Sequence, residues 1–170
     1  MGGRKNKAVF LDRDGVINND TGHYYIYKVC DVVINDGVVD FLLKVQSAGF
    51  MLIIISNQGG IAKGIYTKAD VDKVNSYIID YMHSKGVEIM DSYYCPHHSD
   101  IGNCLCRKPD SLLLEKAMAR YDIDPDKSFF IGDGERDIEA GVKAGLKSIK
   151  IERNENLMNY YNNLFEIIKS

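Results

Sequence analysis

Two aspartates two residues apart, Asp12 and Asp14, follow the short apolar run Ala8 to Leu11 in the order Asp-Arg-Asp-Gly. Where the backbone turns between such a pair, one carboxylate can attack while the other shuttles a proton. Gly15 allows the tight turn this requires. A second pair, Asp133 and Asp137, lies in Gly-Asp-Gly-Glu-Arg-Asp, the first at a strand end and the second a helical turn further on. Carboxylates converging on one rim repel each other. A hard divalent cation relieves that repulsion, and Mg²⁺ favours a few protein oxygens together with waters and a substrate phosphate. A lone aspartate after a strand is usually a turn former or helix cap. Two pairs at separate strand ends, with basic residues to join them, favour chemistry.

The run Ser56-Asn57-Gln58-Gly59-Gly60 offers a hydroxyl and exposed backbone N–H groups, which can grip the oxygens of a phosphate. Lys108, in Arg107-Lys108-Pro109, could neutralise a phosphoryl group and an attacking carboxylate together. Taken singly, the first is a plain polar loop and the second a solvated basic pair. Cys95, Cys104 and Cys106 lie within twelve residues of one another, with His97 and His98 between them. Three thiolates and an imidazole suit tetrahedral Zn²⁺, and with four protein ligands the site is structural. Free thiols or a redox pair are the alternative.

These residues need a scaffold that brings them to one rim. Ala8 to Leu11, Met51 to Ile55, Ile89 to Tyr94, Ser128 to Ile131 and Lys147 to Ile151 read as strands. The spacing predicts helices over Gly37 to Ala48, with Asp36 as cap and Gly49 as stop, and over Lys68 to Lys85. Further helices are expected over Ser111 to Tyr121, with Leu112, Leu113, Ala117 and Met118 inward, over Glu135 to Ala144, and over Glu155 to Lys169. Met51 to Ile55 is expected to be a central strand, with Ser56 to Gly64 as the loop after it. Alternation of this kind gives an α/β class, a Rossmann-like, mostly parallel sheet with helices on both faces. Ligands bind beyond the carboxyl ends of such strands, where Asp12, Ser56 and Asp133 all fall.

The chain of 170 residues is expected to form a single domain, 1–170. A formal net charge of −3 with no basic stripe argues against a nucleic-acid partner, and so against a zinc-ribbon module. Met1 to Lys7 lacks the apolar core of a signal peptide and the run Phe50 to Ile55 is too short to cross a bilayer, so a cytoplasmic location without membrane association is expected. A monomer is expected.

Taken together, Phe10-Leu11-Asp12-Arg13-Asp14-Gly15-Val16, Ser56, Lys108 and Gly132-Asp133 with Asp137 resemble, in order, the four motifs of the haloacid dehalogenase superfamily. The resemblance spans nearly the whole chain. It implies a Mg²⁺-dependent phosphatase with Asp12 as nucleophile and Asp14 as general acid and base. It implies that Mg²⁺ is held by the Asp12 carboxylate, the Asp14 backbone carbonyl and Asp133, with Asp137 supporting that shell, a water or Lys108. More narrowly, Asn18 to His23, Ser56 to Gly64 and Tyr94-Cys95-Pro96-His97-His98 look like the D-glycero-D-manno-heptose 1,7-bisphosphate 7-phosphatases, whose sister group is the histidinol-phosphate phosphatases. Both groups carry a zinc loop and lack a large cap domain. The resemblance selects His97 over His98 as zinc ligand, with Cys95, Cys104 and Cys106.

The substrate implied by this resemblance is a small phosphorylated sugar, met by Asp20, His23, Ser56, Asn57, Gln58, Gly59, Arg107, Lys108 and the segment at Gly134. The zinc loop is expected to aim Arg107 and Lys108. The chain departs from the heptose pattern at His23, where tyrosine is common, at Gly134, where some relatives carry lysine, and in the short six-residue gap before Cys104. These departures bear on the sugar and its anomer. Histidinol phosphate is the alternative substrate, and a phospho-ligand binder without catalysis the alternative class.

Overall fold

A computed structural model describes residues 5–169. Met1 to Arg4, on which the expectation of no leader partly rests, and Ser170 lie outside the described residues. In chain order the elements are β1 (Ala8–Leu11), β2 (Asn18–Asn19), β3 (Val33–Ile34), α1 (Val38–Ser47), β4 (Met51–Asn57), α2 (Lys68–Ser84), β5 (Ile89–Cys95), α3 (Leu112–Arg120), β6 (Phe129–Gly132), α4 (Glu135–Lys143), β7 (Lys147–Lys150) and α5 (Tyr161–Lys169).

Five strands form a parallel sheet in the order β5-β4-β1-β6-β7. All four residues of β1 are fully buried, as expected where helices cover both faces of a parallel sheet. Successive residues point to opposite faces. Val9 and Leu11, with Leu52, Ile54 and Ile131, pack against Phe41 and Leu42 of α1 and Ile78 of α2. Ala8 and Phe10, with Ile53, Ile55 and Phe130, pack against Leu114 and Ala117 of α3 and Ala140 of α4. Full burial of a side chain such as Phe10 or Ile53 contributes about 1.5–3 kcal/mol each. The chain leaves β1 toward β4 on one side and reaches β6 on the other, so the crevice at the end of β1 is a topological switch point.

β4 is the expected central parallel strand, with a parallel neighbour on each edge, and β1 beside it is the middle one of the five. Several other expectations are corrected. Ser56 and Asn57 belong to β4, because their backbones continue the ladder to Tyr94 and Cys95. The residue capping α1 is Gly37, not Asp36. Gly37 has φ +72°, and a Cβ there would lie 1.9 Å from Asn156 Oδ1, so a side chain is excluded twice over. Leu114 rather than Leu112 faces inward from α3. The terminal helix starts at Tyr161, after a 3₁₀ turn over Leu157–Tyr160 whose entry is capped by the Asn156 side chain. The short antiparallel pair of β2 with β3 has no expectation behind it: two-residue strands carry no readable period.

Candidate active site

At the end of β1 a buried ion cluster forms the floor of a cleft. Lys108 arrives from the loop before α3, its side chain 1 % exposed, with Nζ 2.8 Å from Asp12 Oδ1 and 2.7 Å from Asp137 Oδ1. The same ammonium donates to the Ile55 carbonyl at 3.0 Å. Asn57 fixes the lysine backbone with two hydrogen bonds, its amide donating to Lys108 O and its oxygen accepting from Lys108 N, each 3.0 Å. Asp137 stands on the first turn of α4, where its Oδ2 accepts from Gly134 N at 3.0 Å. Gly132 permits this approach, since a Cβ there would come within 2.2 Å of Asp137 Cβ.

Burial and the neighbouring Asp137 push Asp12 up to about 7, against the pull of Lys108. Burial acts to lower Lys108, but Asp12 and Asp137 outweigh it and raise the group. Asp133 is also raised, by burial and by Asp137. Carboxylate oxygens of Asp12, Asp133 and Asp137 lie within 4.8 Å of one another, so three acids face one ammonium. Both Asp137 oxygens are engaged, one by Lys108 and one by Gly134 N. Asp12 Oδ1 is engaged by Lys108 and by Arg13 N, leaving its second oxygen and Asp133 for a cation. Hard oxygens in negative excess fit a dication of magnesium's kind.

Asp14 is not in that group. Its carboxylate accepts from Arg13 Nε at 3.0 Å and Nη2 at 2.9 Å, from Asn18 Nδ2 at 2.9 Å and from Gln58 Nε2 at 3.1 Å. Gln58 also donates to Ser56 Oγ and accepts from Tyr66 OH, so one amide links the loop after β4 to the loop after β1. Ser56, Gln58 and Lys108 lie buried beneath the cleft. Asp12, Asp14, Asp20, His23, Asn57, Gly59 and Arg107 line it. Gly134 borders it through Arg136, whose Cγ lies 3.6 Å from where a Cβ on Gly134 would be. Among the carboxylates that line it, Asp20 is the least available to a ligand, with its side chain 3 % exposed and both oxygens bonded to Arg153.

Cys95 ends β5, and His97, Cys104 and Cys106 curl back onto it. The sulfurs are 3.0–3.7 Å apart, and His97 Nδ1 lies 3.3 Å from Cys106 Sγ and 3.6 Å from Cys95 Sγ. A tetrahedral zinc with Zn–S bonds of about 2.3 Å has ligand edges of roughly 3.8 Å, close to this spacing. Burial, then the neighbouring Cys106, push the Cys95 thiol up, a penalty that a bound cation reverses. His98 stands apart from the cluster and lines the cleft.

Sequence reasoning missed several participants. Arg13, fully buried, holds Asp14 while donating to Asn75 Oδ1 and to the Ile26 carbonyl. Tyr24, Tyr25, His98, Arg136 and Arg153 line the cleft. For Arg153 the available signal is position, just beyond β7 on the same rim as Asp12 and Asp133. For Arg13 it is a charge placed between two acids in an apolar setting.

Known proteins share both the sequence and the architecture. A family profile described as HAD-hydrolase-like matches residues 105–156. The D-glycero-beta-D-manno-heptose-1,7-bisphosphate 7-phosphatase of Haemophilus influenzae is 37 % identical over 147 residues, covering 84 % of this chain and 79 % of the relative. The D-glycero-alpha-D-manno-heptose-1,7-bisphosphate 7-phosphatase of Campylobacter jejuni is 36 % identical over 168 residues, covering 96 % and 95 %. The crystal structure of D,D-heptose 1,7-bisphosphate phosphatase from B. bronchiseptica, complexed with magnesium and phosphate, superposes with a TM-score of 0.80 at 25 % identity over 92 % of this chain and 86 % of that one.

Proposed function

Because the chain belongs to the haloacid dehalogenase-like hydrolases, among relatives that are heptose-bisphosphate phosphatases, and is with them a phosphoric monoester hydrolase, we propose that it removes the 7-phosphate of D-glycero-D-manno-heptose 1,7-bisphosphate through a phosphorylated Asp12. The mechanism rests above all on the buried Asp12–Lys108 contact, which sets a carboxylate and a neutralising ammonium side by side at the floor of the cleft.

In this reading Asp12 attacks phosphorus, the bond to the sugar oxygen breaks, and Asp14 gives that oxygen a proton. Water then attacks the aspartyl phosphate, Asp14 takes its proton, and Asp12 and inorganic phosphate are released. Asp14 must leave its two-point contact with Arg13 to do so. Arg13 stays behind, because Asn75 and the Ile26 carbonyl hold it. Ser56 Oγ accepts from Gln58, which leaves its hydroxyl proton for a phosphate oxygen. Lys108 offsets charge on the transferring group, and Asp137 holds Lys108. Mg²⁺, held by Asp12, Asp133 and the Asp14 carbonyl, would supply the remaining positive charge on the phosphoryl oxygens. Zn²⁺ at Cys95, His97, Cys104 and Cys106 would fix the loop that carries Arg107 and Lys108. Asp20, His23, Asn57, Gln58, Gly59, Arg107 and Gly134 form the substrate side. The enzyme so described is a cytoplasmic monomer.

Relatives named for the alpha and the beta anomer are almost equally similar, at 36 % and 37 % identity, so the test includes both. Phosphate release is measured with Mg²⁺ on each anomer of the bisphosphate and on histidinol phosphate. The expected result is at least about a tenfold advantage in kcat/KM for one bisphosphate anomer. Preference for histidinol phosphate would keep the chemistry and overturn the substrate.

A further inference from the structure

The Asp20 carboxylate, which takes no part in the ion cluster, is engaged at both oxygens. Arg153 Nε donates to Asp20 Oδ1 at 2.9 Å, and Arg153 Nη2 bonds Asp20 Oδ2. Asn154 Nδ2 donates to Asp20 Oδ1 at 3.0 Å and to Thr21 Oγ1 at 3.2 Å, while Asn154 Oδ1 accepts from Asp20 N at 3.2 Å. The Asn154 backbone N–H donates to Gly15 O at 2.8 Å. Asn154 does this with φ +62°, a conformation asparagine tolerates better than most residues. Burial acts to raise Asp20, but Arg153 and Asn154 hold it below its ordinary value.

The same guanidinium reaches the ion cluster. Arg153 Nε is 3.6 Å from Asp133 Oδ2. Between them passes Gly15, where a Cβ would lie 2.4 Å from Asp133 Oδ2 and 3.0 Å from Arg153 Cγ. One side chain beyond β7 therefore touches both the loop that carries Asp14 and the acid at the end of β6. The planar fork of arginine suits two-point contact with a carboxylate, which a lysine ammonium does not reproduce.

The geometry points to Arg153 as a positioning residue, clasped by Asp20 and Asn154, that sets the Asp12–Asp20 loop and the Asp133 carboxylate in register. Asp20 serves to aim Arg153. This inference rests on the reading of Asp133 as a magnesium ligand.

The test uses the full chain with D20N, R153M, R153K, N154G and the double variant D20N/R153M, alongside D133N. Three quantities are read: kcat and KM on the preferred sugar bisphosphate, the Mg²⁺ concentration for half-maximal activity, and backbone hydrogen exchange over residues 15–21 in metal-free protein. R153M is expected to lower kcat about tenfold, with KM changed less than about twofold, and to raise the Mg²⁺ requirement several-fold. Exchange over residues 15–21 rises in D20N, R153M and N154G. The double variant is no worse than the poorer single one, because the two side chains act as a unit. R153K recovers only part of kcat. N154G, which accepts the backbone angle freely, keeps the test alive if R153M does not fold. Wild-type kcat, Mg²⁺ requirement and exchange in R153M, or in N154G and R153K where R153M is unfolded, would overturn the inference, as would a rise in KM alone. An active D133N would instead overturn the magnesium reading, whatever the arginine variants do.

Discussion

At the scale of single residues, the cleft is governed by an imbalance of charge. Asp12, Asp133 and Asp137 crowd together around the Lys108 ammonium, with Arg153 reaching Asp133 from outside, so in the proposed reading a proton and a metal cation compete for Asp12. Asp12 is raised to about 7, so protonation weakens the cation's hold as pH falls through that value. The acid limb of the rate profile should therefore move to lower pH when Mg²⁺ is raised, and a limb that ignores Mg²⁺ would contradict the shared site. The sign for stability follows from the same shift. In metal-free protein the raised group binds protons that the unfolded chain has released, so stability falls as pH rises from the ordinary value of 3.8 toward about 7. D12N should abolish turnover while keeping the fold, read by phosphate release and circular dichroism. K108M leaves two buried carboxylates unpaired and should cost about 3 kcal/mol or more in urea unfolding of the metal-free protein. Asp12, Asp14, Lys108 and Asp133 are legible as chemistry because each sits beside a strand end or a proline-marked loop. Arg13 and Arg153 are not, because an arginine that supports an acid looks in sequence like any solvated charge.

At the scale of elements, what was legible tracks burial. Strands β1, β4 and β6 are apolar on both faces and read plainly as interior strands, while α2 announces its stop with Gly86 at φ +84°. Its start is a capping box between Thr67 and Asp70, a pattern present in the sequence at the spacing that such boxes require. The start of α1 misleads because Asp36 is the better cap by residue type, whereas the positive φ at Gly37 and the approach of Asn156, distant in sequence, make glycine the residue required there. G37A should destabilise the protein by more than about 1 kcal/mol, since strain and collision act together. It should leave kcat of the folded fraction unchanged, as denaturant unfolding and initial rates would show. The Cys95–Cys106 loop is legible through its ligand spacing, and C104S should lower zinc content, lower the melting temperature and weaken activity. Full activity and stability in that variant would make the loop's metal incidental.

At the scale of the whole molecule, the sheet order explains why distant segments meet. Asp12, Ser56 and Asp133 end three adjacent parallel strands, so a common strand direction alone delivers them to one rim. That much is readable from sequence once the strands are taken as parallel. The order β5-β4-β1-β6-β7, and the contact of the segment after β7 with the loop after β1, depend on tertiary packing that no local pattern encodes. In the proposed reading, two metal environments with different donors predict two chelation behaviours. A chelator should first remove activity that Mg²⁺ restores, and should strip zinc from the thiolates more slowly, which metal analysis of the dialysed protein would reveal. Restoration by zinc alone would mean that the two sites had been exchanged.

The loop of the Cys95, His97, Cys104 and Cys106 cluster ends in Cys106-Arg107-Lys108, with a single residue between a clustered sulfur and the buried ammonium. So short a tether leaves almost no slack. In the proposed reading, remodelling this loop to suit a new sugar also moves the lysine beside Asp12, so substrate range and turnover are mechanically ganged. The side of the cleft formed by His23, Tyr24 and Tyr25 is joined to Asp14 less directly, from Tyr25 through Tyr66 and Gln58.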